Sequence, residues 1–367
     1  MNINSHSNST SMPREQKLNI LHIFNDPKFS KGFFEFLIKH NENLDNHFLF
    51  HYRCTKSTYS SFGMRSLFAA NFFSPFANIR LLKPLFQAEK IIIHCLASPI
   101  LIFYLFLFPS LAHKSYWVIW GKDLYFYRVL SEKRFYHSIY EFFRRKVIKE
   151  IRHIVTYNDG DYKLAKEWYG TSATQHRCFM YPSNLYNNVQ PPTPKNSKII
   201  SILVGNSADP SNNHLEAFSV LEKFKDENIQ IIAPLSYGNK KYANEVIKAG
   251  HRIFGDKFKP YLEMIPYAEY LELLGRVEIG IFAHRRQQAM GNITTLLGMG
   301  KKVYIRDDIT TWDLLKNLGI KAYKFYDIDL VKPDESIFQQ NREIVKSIFS
   351  EENLLAQWNQ IASDKPQ

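Results

Sequence analysis

The segment VEIGIFAHRRQQAMGNITTLLGMGKKVYI, Val277–Ile305, decides the fold class of this chain. Its first seven residues form a largely apolar run, residues 301–305 form a second short run, and a helical pattern spans Ile293–Met299 between them. Two short β-like runs joined by a helix are typical of a parallel βαβ unit. The loop between the first strand and the helix carries two arginines, two glutamines and a glycine, which is more than a turn requires. We therefore expect this loop to bind a ligand.

The same alternation continues on both sides of this unit. Near-continuous apolar strands that alternate with helices indicate a doubly wound parallel sheet, whose ligands bind beyond the carboxyl ends of the strands. The sequence therefore predicts an α/β fold. The further β-like runs are 18–24, 47–52, 90–96, 116–120, 153–157, 198–205, 229–235 and 320–326.

Residues 181–197 interrupt the alternation with four prolines and several Asn and Ser residues. Such a segment cannot form a core and is typical of an interdomain linker. A chain of 367 residues is long for one domain and sufficient for two, with a cleft between them. We predict a flexible extension over 1–16, a first domain over 17–181, a linker over 182–197, a second domain over 198–340, and a C-terminal helix over 341–367 that packs back on the first domain.

The composition restricts the class of protein. With 45% hydrophobic and 22% charged residues, the chain can bury ordinary cores. A net charge of +12 and an aromatic content of 15% favour polyanionic partners: nucleic acid, anionic lipid or diphosphate ligands. No zinc-finger, helix-turn-helix or RNP-like pattern supports nucleic acid. Cys54, Cys95 and Cys178 lack metal-ligand spacing and the polar first ten residues lack a signal-peptide core, so we expect a reduced, cytoplasmic chain.

The loop Ile202–His214, ILVGNSADPSNNH, follows a predicted strand and leads into a helix. Backbone N–H groups at a helix N-terminus bind phosphate, and a glycine lets a ligand approach the chain closely. The candidate binding residues here are Gly205, Asn206, Ser207 and His214. The alternative is an ordinary βα loop with a helix cap.

The second candidate loop lies within the opening segment. Arginine presents a forked set of donors that suits phosphate oxygens. Two such loops at the carboxyl edge of one sheet favour a diphosphate site, although neither has the spacing of a P-loop or of GxGxxG. The alternative is that Arg285 and Arg286 are solvated charges. The candidate binding residues of this loop are Arg286, Gln287, Gln288, Gly291, Asn292 and Thr294.

Two aspartates are candidates for a catalytic base. Asp123 follows the predicted strand 116–120 in VIWGKDLY, and would point into the cleft as a general base or as a group that orients a substrate hydroxyl. Asp26, directly after the first predicted strand, is the rival candidate. For either carboxylate the alternative is a role in a cap or a turn.

A basic and aromatic surface is expected on the first domain. The segment Lys133–His153 and the apolar helix Ile100–Leu111 would together lie on an anionic membrane. The alternative is that the aromatic residues belong to the core. Cys95–Ala112 has no charge over 18 residues, the lower limit for a membrane span, but Pro99 and Pro109 favour a strand followed by a short helix. The segment brings Phe135, Ile139, Phe142 and Phe143 near Lys146, Lys149 and Arg152.

Three motifs carry a family resemblance: IWGKDLY (Ile119–Tyr125), ILVGNSADPSNNH (Ile202–His214) and RQQAMG (Arg286–Gly291). In this order and spacing the chain resembles the enterobacterial TDP-N-acetylfucosamine:lipid II N-acetylfucosaminyltransferases of glycosyltransferase family 56, from about Leu18 to Trp358. The resemblance implies a GT-B fold, in which two Rossmann-like domains face a cleft. It also implies transfer of a 4-acetamido-4,6-dideoxyhexose from a dTDP-sugar donor to an undecaprenyl-diphosphate-linked saccharide acceptor, in the synthesis of enterobacterial common antigen.

The resemblance further implies how the site works. The arginine and glutamines of 286–291 would hold the nucleotide diphosphate, with the following helix aimed at it. No metal or other cofactor would be needed, since helix ends and basic side chains offset the charge of the leaving diphosphate. The protein would bind peripherally to the cytoplasmic face of the bacterial inner membrane. The alternatives are a non-catalytic, membrane-associated nucleotide-sugar-binding protein, and a transferase that uses another donor for capsule or O-antigen units.

Overall fold

The computed structural model of this chain describes residues 19–40, 44–52, 65–129, 134–186 and 199–364. They form two parallel β-sheets, and apolar side chains pack on both faces of each sheet. This confirms the predicted α/β class with two Rossmann-like halves. The extension expected over 1–16 and most of the linker expected over 182–197 lie outside the described residues.

The first half is built on a sheet of seven strands: β1 (Ile20–Phe24), β2 (His47–Tyr52), β3 (Arg65–Ala69), β4 (Lys90–His94), β5 (Ser115–Val118), β6 (His153–Val155) and β7 (Thr174–His176). Their order across the sheet is β3-β2-β1-β4-β5-β6-β7. All residues of β1, β4 and β5 are buried, as expected of parallel strands covered on both faces. The order reverses between β1 and β4, which is where such sheets form a crevice for ligands.

The second half is built on six strands: β8 (Ile200–Val204), β9 (Ile229–Pro234), β10 (Phe258–Tyr261), β11 (Ile279–Phe282), β12 (Lys302–Ile305) and β13 (Tyr323–Lys324). Their order is β10-β9-β8-β11-β12-β13, so the reversal lies between β8 and β11. The N–H of Gly205, just past β8, donates to the carbonyl of Ile281 at 2.9 Å. The two loops singled out in the sequence therefore leave the sheet side by side.

Helices cover the faces of both sheets. In the first half these are α1 (Pro27–Lys39), α2 (Pro75–Gln87), α3 (Pro99–Leu107), α4 (Pro109–His113), α5 (Phe126–Val129), α6 (Phe135–Glu150) and α7 (Asp159–Tyr169). In the second half they are α8 (His214–Leu221), α9 (Lys240–Phe254), α10 (Tyr267–Arg276), α11 (Met290–Gly298), α12 (Thr310–Asn317), α13 (Glu335–Ile348) and α14 (Glu351–Ser363). The helix expected to start at Ile293 begins three residues earlier, at Met290.

The last helix, α14, lies against the first half. The indole of Trp358 is 1% exposed, and its ring centroid lies 5.9 Å from that of His22 and 5.3 Å from that of Phe33. At the start of the helix, the ammonium of Lys39 lies 2.6 Å from the carboxylate of Glu351. One cluster of buried apolar residues runs through both halves and includes Trp358. The helix therefore fixes the two halves relative to each other.

The uncharged stretch Cys95–Ala112 forms two short helices. Pro99 and Pro109 each stand in the first turn of a helix, where the missing N–H of proline has no cost. Ser98 caps α3, because its hydroxyl oxygen accepts from the N–H of Leu101 at 3.3 Å. Within the ranges that the structure describes, no helix is long and apolar enough to cross a bilayer.

Candidate active site

A cavity of about 590 Å³ lies between the two halves, at the carboxyl ends of both sheets. The first half contributes residues that follow β5 and β6, and the second half contributes residues that follow β8, β9 and β11. Such loops are where doubly wound sheets bind ligands. Aromatic rings form much of the wall: Phe29, Trp120, Tyr157, Phe179, Tyr181, Tyr237, Tyr261, Tyr267, Tyr270 and Phe349.

The loop after β5 and the loop after β11 touch each other beside this cavity. Gly121 has a φ of +77°, and a Cβ added to it would lie 2.6 Å from the carbonyl oxygen of Gln287. Glycine is the residue that combines this backbone conformation with so close an approach. Two of the motifs that suggested the family, Ile119–Tyr125 and Arg286–Gly291, are thus in direct contact between the halves.

Arg286 lines the cavity and is only 7% exposed, so the interpretation of this side chain as a solvated charge is wrong. Its Nη1 donates to the carbonyl of Gln287 at 3.1 Å and its Nη2 to the hydroxyl of Ser211 at 3.3 Å. Burial lowers the pKa of Arg286, although Asp209 and Asp123 act in the opposite direction. Among the described residues no carboxylate forms an ion pair with its guanidinium. This buried cation therefore retains the capacity to bind an anion.

Arg285 differs from Arg286 in its exposure and in its partner. Its side chain is 65% exposed and lies 3.2 Å from the carboxylate of Glu216. Glu216 also lies 2.8 Å from Arg306. The doubled arginine in the sequence therefore serves two purposes, one as a surface ion pair and one in the cavity wall.

A polar cluster adjoins Arg286. The hydroxyl of Ser211 lies 2.7 Å from Oε1 of Gln288, and Nε2 of Gln288 donates to Oδ1 of Asn206 at 3.4 Å. Nδ2 of Asn206 donates in turn to the hydroxyl of Tyr237 at 3.2 Å. Asn206, Tyr237, Gln287 and Gln288 all border the cavity. These four side chains are themselves uncharged and offer both donors and acceptors, while the carboxylate of Asp209 accepts from the hydroxyl of Ser211 at 2.6 Å.

The first turn of α11 also borders the cavity. Ala289, in the left-handed conformation with φ +58°, precedes this helix, and Met290, Gly291 and Asn292 line the wall. A Cβ on Gly291 would collide with the carbonyl oxygen of Ser183, so the missing side chain lets the helix start approach the chain that joins the halves. The N-terminus of a helix favours negative charge nearby.

Two of the predicted binding residues, Gly205 and His214, pack against each other inside the fold beside the loop after β8. Gly205 has a φ of +69°, and a Cβ on it would lie 2.6 Å from Nε2 of His214. His214 is fully buried, and burial lowers its pKa to about 4, which keeps the imidazole neutral. Neither residue borders the cavity. The structure therefore places both residues outside the cavity wall, where they support the loop that carries Asn206.

Ser207 and Thr294 are also withdrawn from the cavity. Ser207 is 2% exposed, and its hydroxyl oxygen accepts from Nδ2 of Asn212 at 3.1 Å. Thr294 is fully buried, and its hydroxyl donates to the carbonyl of Met290 at 2.9 Å, one helical turn before it. Both hydroxyls are used within the fold, and neither residue borders the cavity.

Asp123 does not point into the cleft as expected. It is 3% exposed, and its Oδ2 accepts from the indole N–H of Trp117 at 2.6 Å and from the N–H of Leu96 at 3.0 Å. Its Oδ1 accepts from the N–H groups of Trp120 at 2.9 Å and Leu124 at 3.1 Å. Four donors saturate the carboxylate, which leaves no free lone pair aimed at a substrate. The turn role was the correct alternative for this residue.

The rival carboxylate, Asp26, is exposed directly after β1. It does not itself border the cavity, but Phe29, one turn later in α1, does. A carboxylate that the sequence interpretation missed is Glu263, which lines the cavity between β10 and α10. The segment 261–267 shows no polar cluster and no motif, so only the folded arrangement places Glu263 there.

A second interdomain contact lies beside the cavity. The hydroxyl of Thr310, at the start of α12, donates to Oδ1 of Asp161 in α7 at 2.7 Å. Asp161 is 1% exposed, and burial raises the pKa of its carboxyl to about 7, although the hydrogen bonds from Thr310 and Tyr125 act to lower it. Nδ2 of Asn158 donates to the same hydroxyl at 3.0 Å. The halves thus meet through a carboxyl group that titrates near neutral pH.

The model of a known protein family matches residues 86–363 of this chain. Its description is 4-alpha-L-fucosyltransferase, glycosyl transferase group 56. The match includes the loops after β5, β8 and β11, which together build the cavity wall.

Solved structures of GT-B glycosyltransferases share the whole architecture. HepE of Anabaena in complex with UDP and glucose has a TM-score of 0.68 at 10% identity, over 95% of this chain and 100% of that one. A glycosyltransferase from Rickettsia africae has a TM-score of 0.64 at 12% identity, over 94% and 98%. Sucrose-phosphate synthase from Thermosynechococcus elongatus has a TM-score of 0.63 at 9% identity, over 94% and 98%. The fold expected from the three motifs is confirmed.

Proposed function

The chain belongs to glycosyltransferase group 56, and from this membership we propose which reaction it catalyses. It is a glycosyltransferase with the GT-B fold. We propose that it moves a 4-acetamido-4,6-dideoxyhexose of the N-acetylfucosamine type from a dTDP-sugar to an undecaprenyl-diphosphate-linked saccharide. The product would be a lipid-linked intermediate of a cell-surface polysaccharide such as enterobacterial common antigen.

The observation that carries the donor assignment is the position of Arg286. A guanidinium that is 7% exposed, lines a cavity and pairs with none of the described carboxylates is suited to an anionic ligand. The first turn of α11 borders the same space and favours negative charge there. A sugar nucleotide supplies that charge as its diphosphate, and HepE of Anabaena, with the same fold, is described in complex with UDP and glucose.

The aromatic wall suits the rest of the donor. Tyr237, Tyr261 and Tyr270 border the cavity on the second half, where a planar base can stack on them. The hydroxyl of Tyr270 accepts from Nδ2 of Asn292 at 2.7 Å, which ties this wall to the first turn of α11. We place the base and ribose along the tyrosines, the diphosphate at Arg286 and the sugar towards the first half.

In this proposal Arg286 and the start of α11 offset the charge that develops on the leaving diphosphate, so transfer needs no metal ion at the diphosphate. The corresponding test is turnover at a fixed donor concentration with and without Mg²⁺. Equal rates support the proposal, and a rate that requires Mg²⁺ contradicts it.

For the base we propose Asp26, because the carboxylate of Asp123 is already used by four donors. Asp26 is exposed at the carboxyl end of β1, on the half expected to bind the acceptor. General-base assistance contributes about 10²–10⁴-fold to rate, so Asp26→Asn should lower kcat by that factor at unchanged dTDP affinity. Glu263→Gln is the control, and a larger loss in that variant would transfer the role to Glu263.

An aromatic ridge on the first half supports association with a membrane. We define the ridge as two groups of exposed or half-buried rings: Phe86 of α2 with Phe108, directly after α3, and Phe106 of α3 with Phe143 and Phe142 of α6. The ring centroids lie 5.1 Å apart for Phe86 and Phe108, 4.8 Å for Phe106 and Phe143, and 5.5 Å for Phe142 and Phe143.

Exposed apolar side chains extend the ridge. Phe76 is 79% exposed on α2 and Phe135 is 83% exposed on α6, so the interpretation of Phe135 as core is wrong. Exposed cations stand on the same helices, among them Arg80 and Lys146. Large exposed apolar patches with basic neighbours are typical of proteins that lie on anionic lipid. We propose peripheral attachment at the cytoplasmic face of the inner membrane, where the lipid-linked acceptor is held.

Membrane attachment is tested by flotation with vesicles of neutral or anionic lipid. The wild type should bind anionic vesicles and release in high salt, and Phe135→Ser/Phe142→Ser should bind at least several-fold less. Tyr237→Ser, an exposed aromatic residue on the second half, is the control. Equal flotation of the ridge variant and the control would contradict the proposal.

The reaction itself is tested in two steps. Thermal-shift measurements with dTDP, UDP and GDP should give the largest stabilisation with dTDP, because a ligand at 100 times its dissociation constant adds about 2.7 kcal/mol. Release of free dTDP from the dTDP-sugar should then require the lipid-linked acceptor. Stabilisation by UDP or GDP alone would assign the chain to another donor, as for capsule or O-antigen units, and no acceptor-dependent release would contradict the proposed reaction.

A further inference from the structure

Among the residues that the structure describes, one group of three side chains has the composition and spacing of metal ligands: His153, His176 and Asp364. His153 begins β6, His176 ends β7, and Asp364 follows the last helix, α14. Nδ1 of His153 lies 3.0 Å from Nε2 of His176. Each of these two nitrogens lies 3.7 Å from the same carboxylate oxygen, Oδ2 of Asp364.

This triangle matches the ligand spacing around a tetrahedral zinc ion. Zinc binds imidazole nitrogen and carboxylate oxygen at about 2.0–2.2 Å, so two ligand atoms of a tetrahedron lie about 3.3–3.6 Å apart. The separations of 3.0, 3.7 and 3.7 Å bracket that range. An ion above the triangle needs shifts of only a few tenths of an ångström in each side chain.

The surroundings hold two of the three side chains in place. The hydroxyl of Tyr116 donates to Oδ2 of Asp364 at 2.6 Å, and its ring stacks on the imidazole of His153 with centroids 4.1 Å apart. Metal ligands are commonly oriented by such neighbours. Lys90 holds the end of α14 through the carbonyls of Ile361 and Ala362, which positions the segment that carries Asp364.

The ammonium of Lys90, 5.0 Å from the ring centroid of Tyr116, opposes every cation at this site, so selectivity between metals comes from the donor atoms. Mg²⁺ and Ca²⁺ bind through oxygen ligands and gain little from two imidazoles. Zn²⁺ binds imidazole strongly and accepts a set of two nitrogens, one oxygen and a water. The donor set therefore selects zinc or a closely similar transition metal.

We infer that His153, His176 and Asp364 bind one Zn²⁺, which fastens the C-terminal segment after α14 to the first sheet. None of the three residues borders the cavity between the halves, so this site is separate from the diphosphate site. Because the chain passes from α13 on the second half to α14 on the first, a metal that fastens its end stabilises the arrangement of the halves. The inference does not depend on the proposed donor or acceptor.

The test is equilibrium dialysis of the full-length, EDTA-treated protein against Zn²⁺ in the presence of excess Mg²⁺, with the bound metal counted per chain. Wild type should bind one equivalent, and Co²⁺ in its place should give the visible absorption of a four-coordinate ion. Loss of an outer-shell partner already weakens metal binding by about 10–100-fold, so His176→Gln and Asp364→Asn should each weaken it at least that much. Zn²⁺ should raise the thermal midpoint of wild type and not that of the variants.

His113→Gln is the matched control, since His113 also faces a carboxylate, that of Glu150 at 3.1 Å, but has no second imidazole. It should bind zinc as wild type does. Asp364→Asn changes a side chain that is about one-third exposed, so a folded variant is expected, and circular dichroism verifies it. Absence of stoichiometric zinc in wild type, or wild-type affinity in folded Asp364→Asn and His176→Gln, overturns the inference.

Discussion

Two loops that leave parallel strands and touch each other use their charged residues in opposite ways. In the first half, the loop after β5 directs Asp123 inward, where N–H groups of β5, of its own loop and of the loop after β4 bind it. In the second half, the loop after β11 gives Arg286 only a carbonyl and a hydroxyl as partners. The carboxylate of Asp123 is fully used in hydrogen bonds within the fold, whereas the guanidinium of Arg286 remains available to bind a ligand.

The comparison shows that burial alone does not identify a binding residue. Asp123 is 3% exposed and Arg286 is 7% exposed, so their burial is nearly the same. What differs is how many of their hydrogen-bonding positions the protein already fills. A saturated charge stabilises the fold, whereas an unsaturated charge beside a cavity is available for binding.

The largest effect is expected from Asp123→Asn, which tests the saturated side of the comparison. The amide nitrogen cannot accept, so two of the four donors lose their partner at about 1–3 kcal/mol each. We expect the free energy of unfolding, measured in urea, to fall by roughly 2–6 kcal/mol. Unchanged stability together with a loss of turnover of about 10²-fold or more would return Asp123 to the catalytic role.

A second aspartate sharpens the comparison, because Asp161 is as buried as Asp123 but is held by only two hydroxyl donors, those of Thr310 and Tyr125. Burial raises the pKa of its carboxyl to about 7, so the folded chain favours the protonated form. Its contribution to stability is complete below about pH 4 and is lost as the pH rises through 7.

Asp161→Asn removes this titration and retains an oxygen that accepts from Thr310. Wild type should lose stability as the pH rises from 5 to the pKa of about 7, by about 1.4 kcal/mol for each pH unit, and the variant should not. The stability of the variant relative to wild type should therefore be higher at pH 8 than at pH 5. Urea unfolding of both proteins at the two pH values measures the change. A difference between variant and wild type that is the same at both values would contradict the raised pKa.

Arg286→Met tests the unsaturated side. A hydrogen bond to a charged group contributes about 1.5–3 kcal/mol, so dTDP binding should weaken by that amount. The free energy of unfolding without ligand should change less than in Asp123→Asn, since the guanidinium has two neutral hydrogen-bond partners and only longer-range attraction to Asp209 and Asp123. Isothermal titration with dTDP measures the affinity, and Arg285→Met, at the exposed ion pair with Glu216, is the control. Equal affinities of the two variants would remove Arg286 from the site.

The smallest effect is expected where the two loops touch. Gly121→Ala introduces a left-handed alanine and a Cβ 2.6 Å from the carbonyl of Gln287. Gly170→Ala is the matched control, because Gly170 is also left-handed, with φ +65° and ψ +30°, and its added Cβ meets only the side chain of Lys149, at 3.9 Å. In both variants the left-handed alanine should lower the free energy of unfolding by about 1–2 kcal/mol. Gly121→Ala should lower it further because of the contact with Gln287.

Turnover distinguishes the two glycine variants further. The clash at Gly121 should separate the loops and lower kcat, whereas Gly170→Ala should keep wild-type kcat. The same loss of stability and the same turnover in both variants would show that the contact between the loops tolerates movement.

Much of the architecture was accessible from local pattern. The apolar runs at 90–96 and 277–283 are strands, since continuous burial of parallel strands leaves that signature in the sequence. Pro99 correctly indicated a helix start after the strand, because proline is tolerated in the first turn, but the single helix expected over Ile100–Leu111 is two, since Pro109 starts a second one. Arg286 was a candidate because an arginine after a buried strand must emerge near the carboxyl edge of the sheet.

The individual roles were not accessible in the same way. Asp123 and Arg286 both follow predicted strands, and their neighbours in sequence do not show which one is saturated. The N–H of Leu96, one of the four donors to the carboxylate of Asp123, lies 27 residues earlier in the sequence. Glu263 lines the cavity although no sequence motif marks it. The same holds for Gly121, whose need for glycine arises from Gln287 in the other half.

The sequence by itself determined the alternation of strands and helices, the presence of two halves and the loops where chemistry would occur. The reason is physical: apolar periodicity and glycine or proline placement act over a few residues, and strand ends in parallel sheets share one edge. Only the tertiary structure decided which polar groups remain available. Hydrogen-bond saturation depends on donors that arrive from distant segments, so Asp123 was assigned to the fold and Arg286 to the cavity only once both halves were assembled.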